Sequence, residues 1–358
     1  MHLLCMHVPT KTEGVLRGRS VCGALTSRRV WTSAPLVART APDTMTSPHI
    51  TILAHPTEKY DAFLFDCDGV LWRGAELLPG SARTLALLRA RGKRVFFVTN
   101  NSSKSRAEYV NKFTKLSIPV DVSEIIPSSW AAAEYLRVER PDVKKAFVIG
   151  CQGLVDELAL VGIDAICGAD KEYATRIYAT EADFLAVDAD PDVGAVVCGW
   201  DLTFNYAKLC LASLHLQKNP GAAFVATNKD AFDKLADRNV PGNGCAVAAV
   251  EQSVGRMAVT VGKPSQWLVD RLLTMHGLDP RRTVVVGDRL DTDIQLGVVG
   301  DCDTVLVGTG CTSTVEALVV EEEEGGPGKG RGLPTYLLSH VGALSGEGVE
   351  GRSGNAGV

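Results

Sequence analysis

The feature that most constrains this chain is a regular alternation, from Tyr60 to about Gly310, of short apolar runs with longer helical patterns. The runs are 62–65 (AFLF), 94–99 (RVFFVT), 146–150 (AFVIG), 194–199 (GAVVCG), 222–227 (AAFVAT), 258–262 (AVTVG), 282–287 (RTVVVG) and 304–308 (TVLVG). Runs this short read as strands, and their near-continuous apolar character fits strands covered on both faces. Strands separated by helical segments are joined by crossovers, so the pattern predicts an α/β protein with parallel sheets built from βαβ units. Between the first two runs, residues 81–94 carry Leu85, Leu87 and Leu88 on one side of a helix, with Gly92 placed to end it.

In an open parallel sheet, ligands bind outside the carboxyl ends of the strands. Four of the runs end in polar clusters: Asp66-Cys67-Asp68-Gly69, Thr99-Asn100-Asn101-Ser102, Gly262-Lys263-Pro264-Ser265, and Gly287-Asp288-Arg289-Leu290-Asp291-Thr292-Asp293. The runs at 146–150 and 194–199 are instead followed by Cys-Gln-Gly and Trp-Asp-Leu. A second domain inserted into the first would let clusters far apart in sequence converge. The expected layout is a core over 49–146, an inserted α/β cap over 147–257, a returning core over 258–343 and a disordered tail over 344–358, with the charged, glycine-rich stretch 321–332 as a solvated loop.

Each cluster is weak alone. A lone Asp-x-Asp also occurs in sugar-nucleotide glycosyltransferases, calcium loops and turns; Gly-Lys-Pro is commonly a turn, and Thr-Asn-Asn-Ser-Ser a helix N-cap. In this order and placement they resemble the haloacid dehalogenase superfamily, whose motifs are an Asp-x-Asp after the first strand, a Ser/Thr after the second, a Lys, and an acidic pair after the fourth. The resemblance implies a Rossmann-like core with a parallel sheet and, because the insertion lies between the second and third motifs, the branch with a large α/β cap. The stretches DCDGVLW, VTNNSSKS, GWDLTFNYAKL, ATNKD, VGKPS and GDRLDTDI look like the phosphoglycolate, pyridoxal and nitrophenyl phosphatases, most of all the plant and algal phosphoglycolate phosphatases.

Phosphomonoester chemistry accounts for these residue types. A carboxylate can attack the phosphoryl group and form an aspartyl-phosphate, and Asp66, nearer the strand end, is the better nucleophile. Asp66 and a dianionic substrate repel each other, so a divalent ion must bridge them, and an oxygen-rich site with few protein ligands suits Mg²⁺. The expected metal set is Asp66, Asp288 and Asp68, the last through its main-chain carbonyl as the resemblance implies. The Asp68 side chain is then free to act as general acid and base. Thr99, Asn100, Asn101 and Lys263 are the expected substrate-binding groups. Asp293 is expected to orient Lys263 or the water shell, and Asp291 to be a plain surface or capping group.

Phosphoglycolate is the expected substrate by resemblance. Pyridoxal phosphate, a broad range of small phosphomonoesters, and a catalytically silent phospho-ligand or scaffold protein are the alternatives. Pyridoxal phosphatases carry a histidine in the segment matching KDAFDKL, near where this chain has Asp233. Asn228, Lys229 and Asn243 are either donors to a substrate carboxylate or turn residues; Trp200 and Phe204 either line a pocket or belong to the core. Relatives also imply a possible homodimer through the cap.

A formal net charge of −5 and no basic stretch interleaved with aromatics argue against nucleic acid as a partner, and no run of eighteen apolar residues suggests a membrane span. Ten scattered cysteines with no Cys-x-x-Cys read as reduced thiols. Residues 1–48 hold six basic and two acidic residues, many Ser/Thr and no secretory apolar run. That composition reads as a transit peptide, with the plastid ahead of the mitochondrion; without an address it is a leader, or translation starts at Met45, and the protein is cytoplasmic.

Overall fold

A computed structural model describes residues 56–235, 238–312 and 334–345. The leader at 1–48, the stretch 321–332 and the tail beyond 345 lie outside the described residues. Leu344, expected to begin the tail, is buried against the core beside Val341.

The first sheet is six-stranded, parallel throughout, in the order Tyr336–Leu338, Asp303–Val307, Thr283–Gly287, Ala62–Phe65, Arg94–Thr99, Ile125–Pro127. Ala62–Phe65 is buried along its whole length because both faces are covered. Its alternate side chains divide: Ala62 and Leu64 pack with Trp130, Leu136, Leu268 and Leu272, whereas Phe63 and Phe65 pack with Leu85, Leu88, Tyr109 and Phe113. That two-residue period is the geometry of a strand sandwiched between helices. The register sets Phe65 beside Val286 and Phe97, so Asp66 emerges between the ends of two flanking strands, the topological switch point of such a sheet. The helix between the strands Ala62–Phe65 and Arg94–Thr99 spans Ser81–Ala90, with Gly92 at φ +70° just past its end.

The second sheet is also parallel, in the order Val259–Thr260, Ala223–Ala226, Ala195–Cys198, Lys145–Ile149, Asp164–Cys167. The run 258–262, expected to open the returning core, therefore belongs to the second sheet: Val259 and Thr260 pair with Val225 and Ala226, and Val261 donates to the Ala226 carbonyl. Nothing in a short apolar run says which sheet edge it will join; the free edge of Ala223–Ala226 takes it. The helix Ser128–Glu139, buried over Ser128 to Glu134, lies in an apolar cluster that reaches both sheets. A hairpin of Phe232–Leu235 with Arg238–Pro241 projects from the second domain.

One buried ion pair holds the Trp200–Thr203 loop of that domain. Lys208, fully buried, donates through Nζ to Asp201 Oδ2 at 2.5 Å, Thr203 Oγ1 at 2.8 Å and the Gly168 carbonyl at 3.3 Å, using all three ammonium protons. Removing the lysine strands a carboxylate that is 3% exposed. Lys208→Met is therefore expected to lower stability by about 3–5 kcal/mol, read from urea unfolding, and pairing it with Asp201→Asn should recover part of the loss.

Candidate active site

The four clusters meet in one cleft of about 1050 Å³ between the sheet ends and the second domain. At its floor Lys263, 3% exposed, reaches into the carboxylates. Its Nζ lies 2.5 Å from Asp66 Oδ1 and 2.6 Å from Asp293 Oδ1, and donates to the Val98 carbonyl at 2.8 Å. Burial opposes the lysine's charge, but Asp293 and Asp66 outweigh it and hold the ammonium well above its ordinary pKa. Asp66 is pushed up by burial, with Lys263 opposing and Asp293 and Asp288 adding to the rise. Asp288 is raised to about 6 by burial and by Asp293, against the Cys311 N–H that donates to its Oδ2 at 2.6 Å.

One carboxylate oxygen from each of Asp66, Asp288 and Asp293 can be chosen so that all lie within 4.8 Å of one another. Three buried carboxylates against one lysine leave an excess of negative charge that a small divalent cation with oxygen ligands would balance. The donor set fits such an ion. Asp288 is also held by close backbone packing: a Cβ at Gly310 would stand 1.7 Å from its Oδ2, and one at Gly69, where φ is +90°, 2.6 Å.

Asp293 fastens the loop that carries Asp288. Its Oδ2 accepts the main-chain N–H groups of Asp288 and Arg289, each at 3.1 Å, and its side chain occupies the space where a Cβ at Gly287 would be. Asp291 points away and forms a two-point pair with Arg289, Nε at 3.1 Å and Nη2 at 2.9 Å. Asp68 stands apart from the three clustered carboxylates. Its side chain is 51% exposed in the cleft, where Oδ1 accepts Trp72 Nε1 at 2.9 Å and lies 3.7 Å from Lys112 Nζ.

Thr99, buried at the end of its strand, and Asn100 and Asn101 all line the cleft. The side chain of Asn100 is committed to Lys263 and Asp230, and the Asn101 N–H donates to Thr99 Oγ1 at 3.2 Å. Trp200 lines the cleft, whereas Phe204 packs against the apolar core of the second domain. Of the three polar residues from that domain, Asn228 and Asn243 line the cleft and Asn243 opens the helix Asn243–Val254, but the donors of all three are spent on the protein. Asn228 Nδ2 donates to the Asn100 carbonyl at 2.7 Å, Asn243 Nδ2 to the Asn228 carbonyl at 2.8 Å, and Lys229 pairs with Glu251. Besides Lys263, the cations that line the cleft are Arg73, Lys234 and Arg289, and Asp230 and Asp233 line it as well. Of these only Asp233 was singled out from the sequence, although Arg289 sits inside the last motif and Lys234 three residues after Ala231 in the KDAFDKL segment.

A parallel sheet with a carboxylate and a lysine in contact at the end of its central strand, backed by two more carboxylates on a neighbouring strand's loop, defines a haloacid dehalogenase-type hydrolase. A haloacid dehalogenase-like hydrolase model matches residues 63–164, and a second model of the same kind residues 260–325. The chain is 44% identical over 259 residues to phosphoglycolate phosphatase 2 of Arabidopsis thaliana, covering 72% of this chain and 85% of that protein. It is 43% identical over 281 residues to the chloroplastic phosphoglycolate phosphatase 1A of the same plant, covering 75% and 77%, and 40% identical over 293 residues to the glycerol-3-phosphate phosphatase of Rattus norvegicus, covering 79% and 89%. Among solved structures, a p-nitrophenyl phosphatase from Archaeoglobus fulgidus superposes with a TM-score of 0.67 at 27% identity, over 80% of this chain and 99% of that one. A glycerol phosphate phosphatase from Mycobacterium tuberculosis in complex with magnesium gives 0.64 at 26%, over 81% and 78%. The chain belongs to the haloacid dehalogenase-like phosphatases, in the branch that holds the phosphoglycolate, glycerol-3-phosphate and nitrophenyl phosphatases.

The raised Asp288 carboxyl gives a pH signature. In the cation-free protein it keeps its proton up to about 6, whereas in the unfolded chain it loses it near 3.8. The folded state thus binds more protons between these values, and stability falls as pH rises through the window. A bound divalent cation favours the ionised carboxylates and removes that penalty. The rise in Tm on replacing EDTA by Mg²⁺, measured by calorimetry, is expected to be larger at pH 7.5 than at pH 5; equal rises would count against Asp288 as a ligand.

Proposed function

We propose that the protein is a Mg²⁺-dependent phosphomonoesterase acting through an aspartyl-phosphate on Asp66, with 2-phosphoglycolate as its substrate. The observation that carries the mechanism is the buried contact between Asp66 and Lys263 at the end of the central strand. Asp66 attacks phosphorus and the bond to the leaving oxygen breaks; Asp68, on the open side of the cleft, gives that oxygen its proton. Asp68 then takes a proton from the water that attacks the aspartyl-phosphate, which releases phosphate and restores Asp66. Lys263 offsets charge on Asp66 and on the transferring group, and Thr99 offers its hydroxyl to a phosphoryl oxygen. Asp66, Asp288 and the main-chain carbonyl of Asp68 would hold Mg²⁺, which supplies the positive charge that lets a carboxylate approach a phosphate dianion.

The substrate assignment rests on the plant relatives and on the cations that line the cleft. Phosphoglycolate carries a carboxylate beyond its phosphate, and Arg73, Lys234 and Arg289 offer positive charge outside the Lys263 position. A second reading follows from Asp233, half-buried in the same cleft and raised by burial: a carboxyl there suits the hydroxyls of a polyol phosphate such as glycerol 3-phosphate. The basic, acid-poor composition of residues 1–48 and the chloroplastic relative support import into a plastid, and we extend the proposal to a homodimer formed through the second domain.

Asp66→Asn is expected to remove turnover while leaving the thermal unfolding midpoint in EDTA within a few degrees of wild type. Brief acid quench of the wild-type protein with labelled substrate should leave phosphate on Asp66, and undiminished turnover in the variant would sink the mechanism. On a panel of phosphoglycolate, glycerol 3-phosphate, pyridoxal phosphate and p-nitrophenyl phosphate, kcat/KM is expected to be highest for phosphoglycolate by about tenfold or more. A preference for glycerol 3-phosphate would instead select the second reading.

A further inference from the structure

We infer that Asp230, on the second domain, is a positioning residue for the reaction that acts through Asn100 on Lys263. The inference rests on the reading of Lys263 and Asp66 given above. Asn100 follows the strand Arg94–Thr99 of the first sheet, and three separate parts of the chain converge on it. Its carbonyl accepts Ser128 Oγ at 2.6 Å and Asn228 Nδ2 at 2.7 Å. Its side-chain Oδ1 accepts the Lys263 N–H at 2.8 Å, and its Nδ2 donates to the Lys263 carbonyl at 3.1 Å. One side-chain amide thus grips both main-chain polar groups of the lysine, as a neighbouring strand would.

The grip works only with the amide one way round. Asp230 enforces that orientation: Asn100 Nδ2 lies 3.1 Å and 3.2 Å from its two carboxylate oxygens, and an ionised carboxylate only accepts. Turned over, the amide would set its oxygen against Asp230 and the Lys263 carbonyl, and its NH₂ against the Lys263 N–H. Gly262 makes the approach possible, since a Cβ there would stand 2.2 Å from the Thr227 carbonyl and 2.7 Å from Asn100 Oδ1. The reach of Lys263 is set at its Cα, and its Nζ must fall between Asp66 and Asp293. A displacement of about 1 Å at a reacting group can cost on the order of a hundredfold in rate. Asp230 follows the strand Ala223–Ala226 of the second domain, so that loop takes part in seating Lys263.

The test uses the full chain with Mg²⁺ and p-nitrophenyl phosphate as probe. Asp230→Ala is expected to lower kcat by about tenfold or more while KM stays within about twofold. Asp230→Asn, which keeps an acceptor oxygen, should recover most of kcat. The double variant Asn100→Ala with Asp230→Ala should lose no more than Asn100→Ala alone, because the two act as one unit. If Asp230→Ala is not recovered folded, Asp230→Ser takes its place. Wild-type kcat in the Asp230 variant, a loss confined to KM, or additive losses in the double variant would overturn the inference. Lys263→Met separates the two levels: if it turns over normally, the reading of the site fails, whereas an inactive Lys263→Met beside a fully active Asp230→Ala overturns only the role of Asp230.

Discussion

The candidate site depends on the buried ammonium of Lys263, set among three carboxylates. Lys263 stands against Asp66 and Asp293, with Asp288 close by, in a place where water reaches almost none of them. Such a group of charges is costly to bury, and a protein built for stability alone would do better with apolar side chains of the same size. The arrangement makes sense as preorganisation: the charges are already oriented and dehydrated before a phosphate arrives.

Much of the surrounding fold serves to hold that cluster. The central strand Ala62–Phe65 is buried on both faces and projects Asp66 from a rigid end. Asp293 uses one oxygen on Lys263 and the other on two backbone N–H groups, so the motif's two aspartates do different work: Asp288 faces Asp66, and Asp293 fixes the loop. Glycines at 69, 287 and 310 stand where the backbone comes too close to Asp288 or Asp293 for any Cβ, and Gly262 where it comes too close to the Thr227 carbonyl and Asn100. Their conformational freedom matters less at three of the four than the room they leave; only Gly69 also needs its positive φ.

The second domain has two connections to this floor. One is the apolar cluster that runs through the helix Ser128–Glu139 and reaches both sheets. The other is polar, through Asn228 and Asp230 to Asn100 and from there to Lys263. The lysine itself arrives from the second sheet, two residues after the Val261 N–H bonds Ala226. The cleft is therefore assembled from both domains at once, with Asn228 and Asp230 of the second domain bonded to Asn100, which in turn bonds the lysine that touches Asp66.

The alternation of apolar runs was enough to read the parallel sheets, because buried strands must be apolar whatever they pack against. The order Asp66, Asp68, Thr99, Lys263, Asp288 was enough to read the family, because the chemistry of a phosphate leaves little choice of residue type. What the sequence could not carry were relations that depend on distance. The strand Val259–Thr260 is too short to announce its sheet, and the strands Ile125–Pro127 and Asp164–Cys167 lack a long apolar run. Asn228 and Asn243 looked equally suited to a ligand or a turn until their donors were seen on main-chain carbonyls. Asn100 and Asp230 lie 130 positions apart, and Arg289 meets the ring of Phe232 at 5.4 Å across the domains. Residue type and local period determine what a segment can be, and so the sequence alone determined the class of fold and the kinds of side chain gathered at its strand ends. Which side chains spend their hydrogen bonds on the protein and which remain to meet a substrate is a property of three-dimensional neighbours, and only the tertiary structure decided it.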